Sequence, residues 1–511
     1  MKLVTLFAAL PLVVAFLPPP ARLGSPPPPA DRSFLAAKGG SSDNTSAKSY
    51  PLREAGEGRR LSGGERQNDG ERQDDCCDDA VEASSDPQGR RQGGPPVVYR
   101  TEVPAHDYDM VVGRVTKTGA TISVLCYADS EGTLVYGSAP GKLTKSLPLT
   151  KFPKGEPVVL ELTGLAPGAR VYWQVTFSGG KEPSPERSFV TARPAGSPLT
   201  FSIQADSHLD GGTVQAVYLR SLAAMRDTDF MVDLGDTFMT DKYPNFRDAH
   251  AQYVAQRYYF DQAQVPVLMV PGNHDGERGA DREMASWARQ ERLRYFPSAP
   301  ENHWAYESGD ALLIGLDPYG HTTNRPRRGG QNADGIIDNW YVTLGKEQYD
   351  WLKKTLETSK ARWKFVFIHN LVGGLGRDGR GGAEAAPLWE WGGKSADGTD
   401  TFKEKRPGWD MPIHQLLLKN KVSAVFHGHD HLFAHQEVDG IIYQCVPQPS
   451  HGRGGGSRSA EEYGYKQGKM LDGSGIIKLS VTPQKAGFTF VRTENGEASK
   501  AFEYTFRPPP F

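Results

Sequence analysis

The feature that most constrains this sequence is a set of five short apolar runs, each followed closely by Asp, Asn or His residues. The run VPVLMV at residues 265–270, for example, leads into GNHD at residues 272–275. Short apolar runs bounded by Gly or Pro predict buried strands, and helical stretches between them predict a parallel sheet. Because ligands bind at the carboxyl ends of such strands, we expect these polar residues to converge on one site. The other four runs are residues 199–205 before DSH, 229–234 before GD, 363–368 before HN and 422–426 before HGHDH.

The composition narrows the classes of protein to which this chain can belong. Its 511 residues, 38% of them apolar and 10% aromatic, are enough for two or three domains with a large core. A formal net charge of −2 and the lack of a sustained basic patch argue against nucleic acid as a partner. The 4 Cys form neither a disulfide framework nor a CxxC zinc site. We expect Cys126 and Cys445, which lie alone in apolar runs, to be buried thiols, whereas Cys76 and Cys77 are adjacent in a polar stretch.

Residues 1–17 have the pattern of a secretory signal peptide. Lys2 precedes an apolar run that is too short for a membrane span, and Val13 and Ala15 offer a small-residue cleavage site. The sequence therefore predicts a secreted or lumenal protein whose mature chain has no membrane span. The alternative destination is a plastid, because cleavage after Ala15 would expose Phe16, an arrangement that resembles the bipartite plastid presequence of algae with secondary plastids.

Residues 18–95 are rich in Pro, Gly, Ser, Arg and Asp and poor in apolar side chains. Such a segment buries too little apolar surface to offset the entropy of ordering, so we expect a disordered tail. Asn44 begins an N-glycosylation sequon, which matters only for a chain that enters the endoplasmic reticulum.

Residues 96–195 are expected to form a small all-β sandwich domain. Their β-rich runs, separated by turn signals, predict short antiparallel strands. The segment LAPG at residues 165–168, followed by VYW, is similar to a turn of fibronectin type III domains, in which Val171 would usually be Tyr. We interpret this domain as a scaffold, with ligand binding as the alternative role. The runs are residues 121–127, 132–136, 157–162 and 171–177.

Residues 199–494 alternate predicted strands with helical stretches, which indicates a layered α/β domain. Several later strands suggest a second sheet packed on the first. We expect residues 495–511 to be a C-terminal tail. The helical stretches are residues 213–226, 245–262, 281–295, 346–358 and 412–419, and the strands of the second sheet are residues 306–316, 441–446, 475–481 and 488–492.

The residue types at the five strand ends indicate a metal centre that handles phosphate esters. Carboxylate, imidazole and amide oxygen ligands together suit Mn, Fe or Zn. Two such ions about 3.5–4 Å apart can hold the attacking and leaving oxygens of a phosphoryl transfer, and water bound to them loses its proton near neutral pH. A site of this kind needs no side-chain nucleophile, consistent with the absence of GxSxG and CxxxxxR signatures from the sequence.

The motif series DxH, GD, GNHD, a lone His and GHxH resembles the calcineurin-like metallophosphoesterase superfamily over residues 200–432. A fibronectin-like domain ahead of it is similar to the layout of purple acid phosphatases. The resemblance implies an α/β fold in which a layered β-sandwich is flanked by helices and preceded by the small all-β domain. It also implies a pair of metal ions, one bound by Asp206, His208, Asp236 and His431 and the other completed by Asn273, His369 and His429, with Asp236 bridging.

The resemblance further implies the catalytic roles. His274 would be the general acid that protonates the leaving alkoxide, and Asp275 would orient it. Purple acid phosphatases carry Tyr three positions after the bridging Asp, where this chain has Met239, and His208 is kept in the DxH motif instead. We therefore expect no iron–tyrosinate centre, and the metal pair is Mn, Fe or Zn.

The sequence thus predicts a hydrolase with a phosphate-ester substrate as its partner. A phosphodiesterase or nucleotidase of the same superfamily is the alternative, because these enzymes share the metal core and differ in the loops above it. A non-catalytic binding module that keeps a metal for stability is the alternative from another class. The presence of His274 argues against such a module, since a purely structural site does not require a proton donor.

Other polar residues near the motifs fill no slot in the pattern. We expect His427 to point into the sheet or support a ligand, and Asp430 to face solvent or support a ligand. The arginines in or beside two Gly-rich insertions, residues 373–382 and 451–456, are expected to be solubilising charges, with substrate contact as the alternative. These arginines are Arg377, Arg380, Arg453 and Arg458, and the histidines expected at the surface or in the core are His303, His321, His414, His435 and His451.

Overall fold

A computed structural model describes residues 98–323 and 337–509 of the chain. Within these two ranges, no helix is long and apolar enough to cross a membrane. Cys126 and Cys445 are buried free thiols, which confirms that prediction. The predicted signal peptide, the tail with the Asn44 sequon, and Cys76 and Cys77 lie outside the described residues.

The part of the chain ahead of residue 198 is built from antiparallel strands. Its strands are β1 (Tyr108–Gly113), β2 (Ala120–Cys126), β3 (Ser130–Gly137), β4 (Lys145–Ser146), β5 (Thr150–Phe152), β6 (Val158–Leu162), β7 (Arg170–Phe177) and β8 (Arg187–Val190). One sheet has the order β1-β2-β6 and the other β4-β3-β7-β8, with β5 beside β3. Alternation along β7 buries Val171, Trp173, Val175 and Phe177 in the shared core. The likeness to fibronectin type III domains stays a prediction.

Beyond residue 198 the chain forms two mixed sheets and a set of helices. The six-stranded sheet has the order β11-β10-β9-β19-β20-β21 and consists of β9 (Leu199–Gln204), β10 (Phe230–Asp233), β11 (Val267–Met269), β19 (Gly475–Val481), β20 (Ala486–Arg492) and β21 (Ser499–Phe506). The seven-stranded sheet has the order β12-β13-β14-β15-β17-β16-β18 and consists of β12 (Trp304–Ser308), β13 (Ala311–Gly315), β14 (Trp363–Phe367), β15 (Ala424–His427), β16 (Phe433–Val438), β17 (Ile441–Cys445) and β18 (Lys469–Leu471). The α-helices are α1 (Gln215–Met225), α2 (His250–Ala263), α3 (Arg282–Tyr295), α4 (Gly345–Thr358), α5 (Trp389–Gly392), α6 (Phe402–Lys405), α7 (Ile413–Lys419) and α8 (Ser457–Glu462), with single 3-10 turns at Thr240–Lys242, Phe246–Ala249 and Ala383–Ala385.

The two sheets pack face to face, and helices cover their outer sides. Phe201 of β9 contacts Phe365 and Phe367 of β14 across the interface, with ring centroids 5.9 and 6.0 Å apart. Helices α1 and α2 cover the six-stranded sheet, and α4 and α7 cover the seven-stranded sheet. Each fully buried aromatic or branched side chain stabilises the fold by about 1.5–3 kcal/mol. The predicted layered α/β fold, a β-sandwich flanked by helices, is confirmed.

The distribution of strands between the sheets differs from the prediction. We expected the later strands, with residues 306–316, to form a second sheet of their own. Instead β19 pairs antiparallel with β9 and joins the first three metal-motif strands, whereas β12, β13 and β17 join β14 and β15. The five motif-bearing strands are therefore split between two sheets. Local alternation of apolar residues predicts a strand but carries no information on which strand it will pair with.

The end of the chain also differs from the prediction. Residues 495–511 were expected to be a tail, but β21 within them pairs along its length with β20. Its Phe502 ring lies 5.6 Å from Phe433, and its Phe506 ring lies 5.4 Å from Trp363. The aromatic residues of β21 recur at every second position and so cover one face of the core. The domain therefore extends through residue 506 rather than ending at 494.

A buried guanidinium joins the antiparallel part to helix α2. Arg257 is fully buried, and burial lowers the pKa of its guanidinium. It donates to the backbone carbonyls of Asp109 on β1 at 3.0 Å and Ser123 on β2 at 2.9 Å, to the Ser123 hydroxyl at 2.8 Å, and to the carbonyl of Tyr295. One side chain therefore satisfies buried acceptors from three separate elements, which fixes how the strands lie against the helix.

Replacing Arg257 with Ala should lower the free energy of unfolding by about 3 kcal/mol, because several buried acceptors lose their donor at once. Chemical denaturation of the full chain measures this change. Arg294→Ala is the matched control, since Arg294 pairs with Glu156 at 2.5 Å on an exposed surface, where such a pair contributes at most about 1 kcal/mol. Equal losses in the two variants would contradict the role given to Arg257.

Candidate metal centre

The polar residues that follow the five predicted strands lie together where β9, β10, β11, β14 and β15 end. Their ligand atoms form two groups, in each of which all such atoms lie within 4.8 Å of one another. The groups touch, because Asp206 Oδ1 is 3.4 Å from His431 Nε2 and 3.8 Å from His369 Nε2. The first group is Asp206, His208 and His431, and the second is Asp236, His369 and His429.

Asn273, the remaining predicted ligand, lies beside Asp236. The backbone N–H of the next residue, His274, donates to Asp236 Oδ1 at 2.8 Å. On the other side, Gly272 is so close to Asp236 that a Cβ there would come within 2.1 Å of the same oxygen. The residues predicted as ligands thus share one junction between the two sheets.

Unsatisfied polar atoms at this junction provide a test of whether a metal fits. Asp206 Oδ1, Asn273 Oδ1 and His369 Nε2 are buried, and none has a hydrogen-bond partner among the described residues. His369 Nε2 is 3.1 Å from Asp236 Oδ2 but lacks hydrogen-bond geometry. A buried polar atom left unpaired costs about 1–3 kcal/mol, so a cluster of them needs a common partner. Cations supply that partner, and this donor set suits Mn, Fe or Zn.

The scaffold fixes which ring nitrogen of His369 faces the carboxylates. Its Nδ1 lies 2.8 Å from the Leu234 carbonyl, which can only accept, so Nδ1 carries a proton and Nε2 faces the carboxylates. Although burial opposes protonation, the neighbouring Asp236 and Asp206 carboxylates raise the pKa of His369 to about 9. The same negative charges that hold a proton on this ring favour a metal cation in its place.

The backbone is strained at several of these positions. Asp206, Asp236, His429 and His431 all have positive φ, at 56°, 53°, 72° and 57°. Non-glycine residues adopt this left-handed conformation rarely, at a cost of order 1–3 kcal/mol each, and such residues concentrate at functional sites. Strain at residues of both groups indicates that the packed sheets hold the ligands in an arrangement the local backbone does not prefer.

Close backbone approach at Gly428 is equally demanding. A Cβ at Gly428 would lie 2.6 Å from the Ala205 side chain and 2.7 Å from Asp206 Oδ2. The next residue, His429, donates its backbone N–H to that oxygen at 2.9 Å. The Gly of the GHxH motif therefore lets the β15 loop pass directly over the Asp206 carboxylate and leaves its other oxygen facing the junction.

His274, the predicted general acid, is oriented by a different carboxylate from the one expected. Its Nδ1 lies 2.9 and 3.1 Å from the two oxygens of Asp241, within the turn Thr240–Lys242. Asp275 instead accepts four backbone N–H groups, which come from residues 236–238 and from Gly272 at 2.7–3.0 Å. The orienting role predicted for Asp275 is therefore wrong, because its carboxylate ties the β10 and β11 loops together.

Burial, reinforced by the charge of Asp236, raises the pKa of Asp275 to about 6, even though its backbone donors oppose this shift. The Asp275 carboxylate therefore interacts electrostatically with the candidate ligand Asp236 while it accepts hydrogen bonds from the backbone.

The Gly-rich insertion after β14 supports the GHDH segment. Arg380 is 8% exposed, donates to the His429 carbonyl at 3.0 Å and lies 4.1 Å from the centre of the Tyr463 ring. Asp430 is buried and accepts from Tyr465 Oη at 2.6 Å and from the Gly381 backbone at 2.7 Å. Asp430 does not face solvent, as one of the two expectations had it, and Arg380 is a structural cation rather than a solubilising charge.

Sequence reasoning missed several residues at this centre. Asp210 and His451 make hydrogen bonds beside His208, although His451 was expected at the surface or in the core. The Arg278 guanidinium lies 5.9 Å from the centre of the Tyr319 ring, which is itself 6.2 Å from the His369 ring. Its Nε is buried and has no hydrogen-bond partner among the described residues. Arg278 follows GNHD by three positions, and no periodic or motif signal singles it out.

Comparison with known proteins agrees with this geometry. Residues 201–433 match the calcineurin-like phosphoesterase family. The chain is 21% identical over 317 residues to purple acid phosphatase 7 of Arabidopsis thaliana, covering 57% of this chain and 82% of the relative. It is 25% identical over 223 residues to purple acid phosphatase 17 of the same plant, covering 41% of this chain and about half, 54%, of that relative. The solved structure of PhoD superposes with a TM-score of 0.56 at 15% identity, over 78% of this chain and 90% of that one.

The layered fold, the two candidate ligand groups and these matches agree, and residues 201–433 form a calcineurin-like phosphoesterase domain of the metallophosphoesterase type. The chain is accordingly a hydrolase of phosphoric esters with a metal centre.

Replacing Gly428 with Ala should weaken metal binding about tenfold or more, because the new Cβ displaces the Asp206 carboxylate. Metal content after equilibration at a fixed free metal concentration measures this. Gly487→Ala is the control, since a Cβ there meets nothing nearer than the Ser480 carbonyl at 3.9 Å and the residue has an ordinary φ. Unchanged metal content in Gly428→Ala would contradict the claim that the close approach of Gly428 holds the Asp206 carboxylate in a metal-binding position.

Proposed function

We propose that this protein hydrolyses phosphate monoesters with a pair of Mn, Fe or Zn ions held by seven residues at the sheet junction. The observation that carries the proposal is the set of buried candidate ligand atoms that have no hydrogen-bond partner among the described residues. They adjoin a partly buried imidazole–carboxylate pair, His274–Asp241. The names of the two plant relatives, both acid phosphatases, favour monoesters over diesters. The ligands would be Asp206, His208, Asp236, Asn273, His369, His429 and His431.

When bound, two such ions polarise the phosphate ester and provide a water nucleophile of lowered pKa. The chain's own contribution is to hold the ligands before substrate arrives. Asp236 has one oxygen held by the His274 backbone and the other 3.1 Å from His369, so its carboxylate is suited to bridging. Asp206, Asp236 and His369 are buried between the two sheets. Burial lowers the local dielectric constant and so strengthens the electrostatic contacts among them.

His274 would deliver the proton that the leaving oxygen needs. Asp241 engages Nδ1, so Nε2 is the ring atom that would carry the proton to the leaving group. The Asp241 carboxylate also stabilises the charged imidazolium before transfer and holds the plane of the ring. General acids of this kind contribute about 10²–10⁴-fold to the rate.

Arg278 would contact the phosphate or its substituent. The guanidinium lies beside Tyr319, and Tyr319 Oη donates to Asn370 Oδ1 at 2.6 Å, next to the ligand His369. The Arg278 Nε is buried and has no hydrogen-bond partner in the two described ranges, which suits contact with an anionic substrate group. A hydrogen bond to a charged group contributes about 1.5–3 kcal/mol.

The full chain, reconstituted with each metal in turn, should hydrolyse p-nitrophenyl phosphate faster than bis-p-nitrophenyl phosphate, and chelation should abolish both activities.

Asn273→Ala should lose activity together with one bound ion. Arg278→Ala should keep its metal but raise the KM for the monoester about tenfold. A metal-loaded protein inactive on both esters would favour the binding module instead, and faster turnover of the diester would make the enzyme a phosphodiesterase.

His274→Ala should slow hydrolysis of an alkyl phosphate about 10²–10⁴-fold but slow p-nitrophenyl phosphate far less, because nitrophenolate leaves without protonation. Asp241→Asn should show the same pattern with a smaller loss. His435→Ala is a suitable control, since its ring packs on Tyr504 at 4.1 Å, away from the centre. Equal losses on the two substrates in His274→Ala would exclude the general-acid role.

The secretory destination stays a prediction from the sequence, because residues 1–17 lie outside the described ranges.

A further inference from the structure

A second network of hydrogen bonds lies behind His208. The Nδ1 atom of His208 is 2.9 Å from Asp210 Oδ2, and both side chains are almost completely buried. The other ring nitrogen, Nε2, is 3.3 Å from His431 Nε2 in the first ligand group and 3.2 Å from Gln448 Nε2. The two ring nitrogens of His208 therefore contact different partners.

These partners determine where the His208 proton resides. An ionised carboxylate only accepts, so the Asp210 contact requires a proton on Nδ1. The amide nitrogen of Gln448 only donates, so its contact requires a lone pair on Nε2. Both contacts select the same tautomer, with the proton on Nδ1 and the lone pair on Nε2, the nitrogen that lies beside His431 of the first ligand group. A metal bound to Nε2 would take the place of the Gln448 N–H.

Asp210 is itself held by further donors. His451 Nε2 lies 3.0 Å from Asp210 Oδ1, and the Gly212 backbone N–H donates to the same oxygen at 2.8 Å. The segment before His451 is anchored to the start of α1, since the Val214 N–H donates to the Ser450 carbonyl at 2.8 Å. The Gly-rich insertion at residues 451–456 therefore contacts the hydrogen-bond network behind His208 through the imidazole of His451.

A third metal ion is the competing explanation, because the ligand atoms of His208, Asp210 and His451 also lie within 4.8 Å of one another. Two observations favour hydrogen bonds over a metal. The atoms meet at 2.9–3.0 Å as donors and acceptors, and both Asp210 oxygens already have partners. At the junction of the two sheets, by contrast, Asp206 Oδ1, Asn273 Oδ1 and His369 Nε2 have no hydrogen-bond partner within the described part of the chain.

We propose that Asp210, with His451 behind it, is a positioning pair that fixes the tautomer and ring plane of His208 so that Nε2 presents its lone pair to the first metal. Carboxylates that accept from the far nitrogen of a metal-bound imidazole typically change metal affinity 10–100-fold when removed. This inference rests on the proposed ligand assignment of His208. It assigns to the loop after β17 a role in assembling the metal centre.

The test is a metal titration of the full-length chain with Co²⁺, followed by visible absorption, in Asp210→Asn, His451→Leu and His451→Gln. Asp210→Asn and His451→Leu should weaken one of the two binding events about 10–100-fold and alter the absorption of that ion only. His451→Gln should keep most of the affinity, since its amide can still donate to Asp210.

The matched control is His414→Leu, which removes another buried imidazole with a carboxylate partner, Asp439 at 3.0 Å, from helix α7. It should lower the free energy of unfolding of the metal-free chain without weakening either Co²⁺ binding event. His451→Leu should cost no more stability than this control while losing metal affinity.

Three outcomes would overturn the inference. Unchanged affinity in Asp210→Asn and His451→Leu would remove the positioning role. Three ions per wild-type chain, with the third lost in these variants, would make the network a metal site. Equal weakening of both binding events together with a loss of stability beyond that of His414→Leu would make it merely structural. A wild-type chain that binds no metal would instead overturn the proposed function, so the two failures are distinguishable.

Discussion

The rest of the centre depends on two buried carboxylates, Asp206 and Asp236, which need positive charge beside them. Negative charges removed from water at close range repel one another and are costly unless positive charge lies beside them. Although burial favours the neutral form, the surrounding imidazoles hold the pKa values of both carboxylates below the ordinary value. The histidines of the two candidate ligand groups lie around these carboxylates and supply part of the positive charge they need.

The scaffold holds that arrangement against local preferences of the backbone. Positive φ at four candidate ligand residues is unfavourable in isolation, and the close approach to Asp206 permits only glycine at position 428. Both features persist because two sheets with an aromatic interface and four backbone donors to Asp275 leave the loops no alternative. The packing of the two sheets thus stabilises these candidate ligand residues in one arrangement.

Much of the fold could be predicted from residue patterns, and the failures have identifiable causes. The β-rich runs between turn signals predicted antiparallel strands such as β7, and the predicted helical stretches correspond to α1 to α4 and α7. The pairing of β19 with β9 could not be predicted, because partner choice depends on contacts between segments more than 250 residues apart. Strand β21 was missed because its alternating aromatic residues follow a Gly- and Glu-containing turn that reads locally as the start of a tail.

The sequence by itself determined which side chains are available to bind a metal, because Asp, Asn and His residues follow five recognisable strands. Their convergence could also be predicted, since the carboxyl ends of strands in a layered α/β fold lie close together. Tertiary structure alone decided which groups serve those ligands. Asp241 rather than Asp275 lies against His274, and Asp210 and His451 lie behind His208. These contacts are hydrogen bonds, which require donor and acceptor to lie about 3 Å apart. The order of residues along the chain does not set such distances between loops; the packing of the two sheets does.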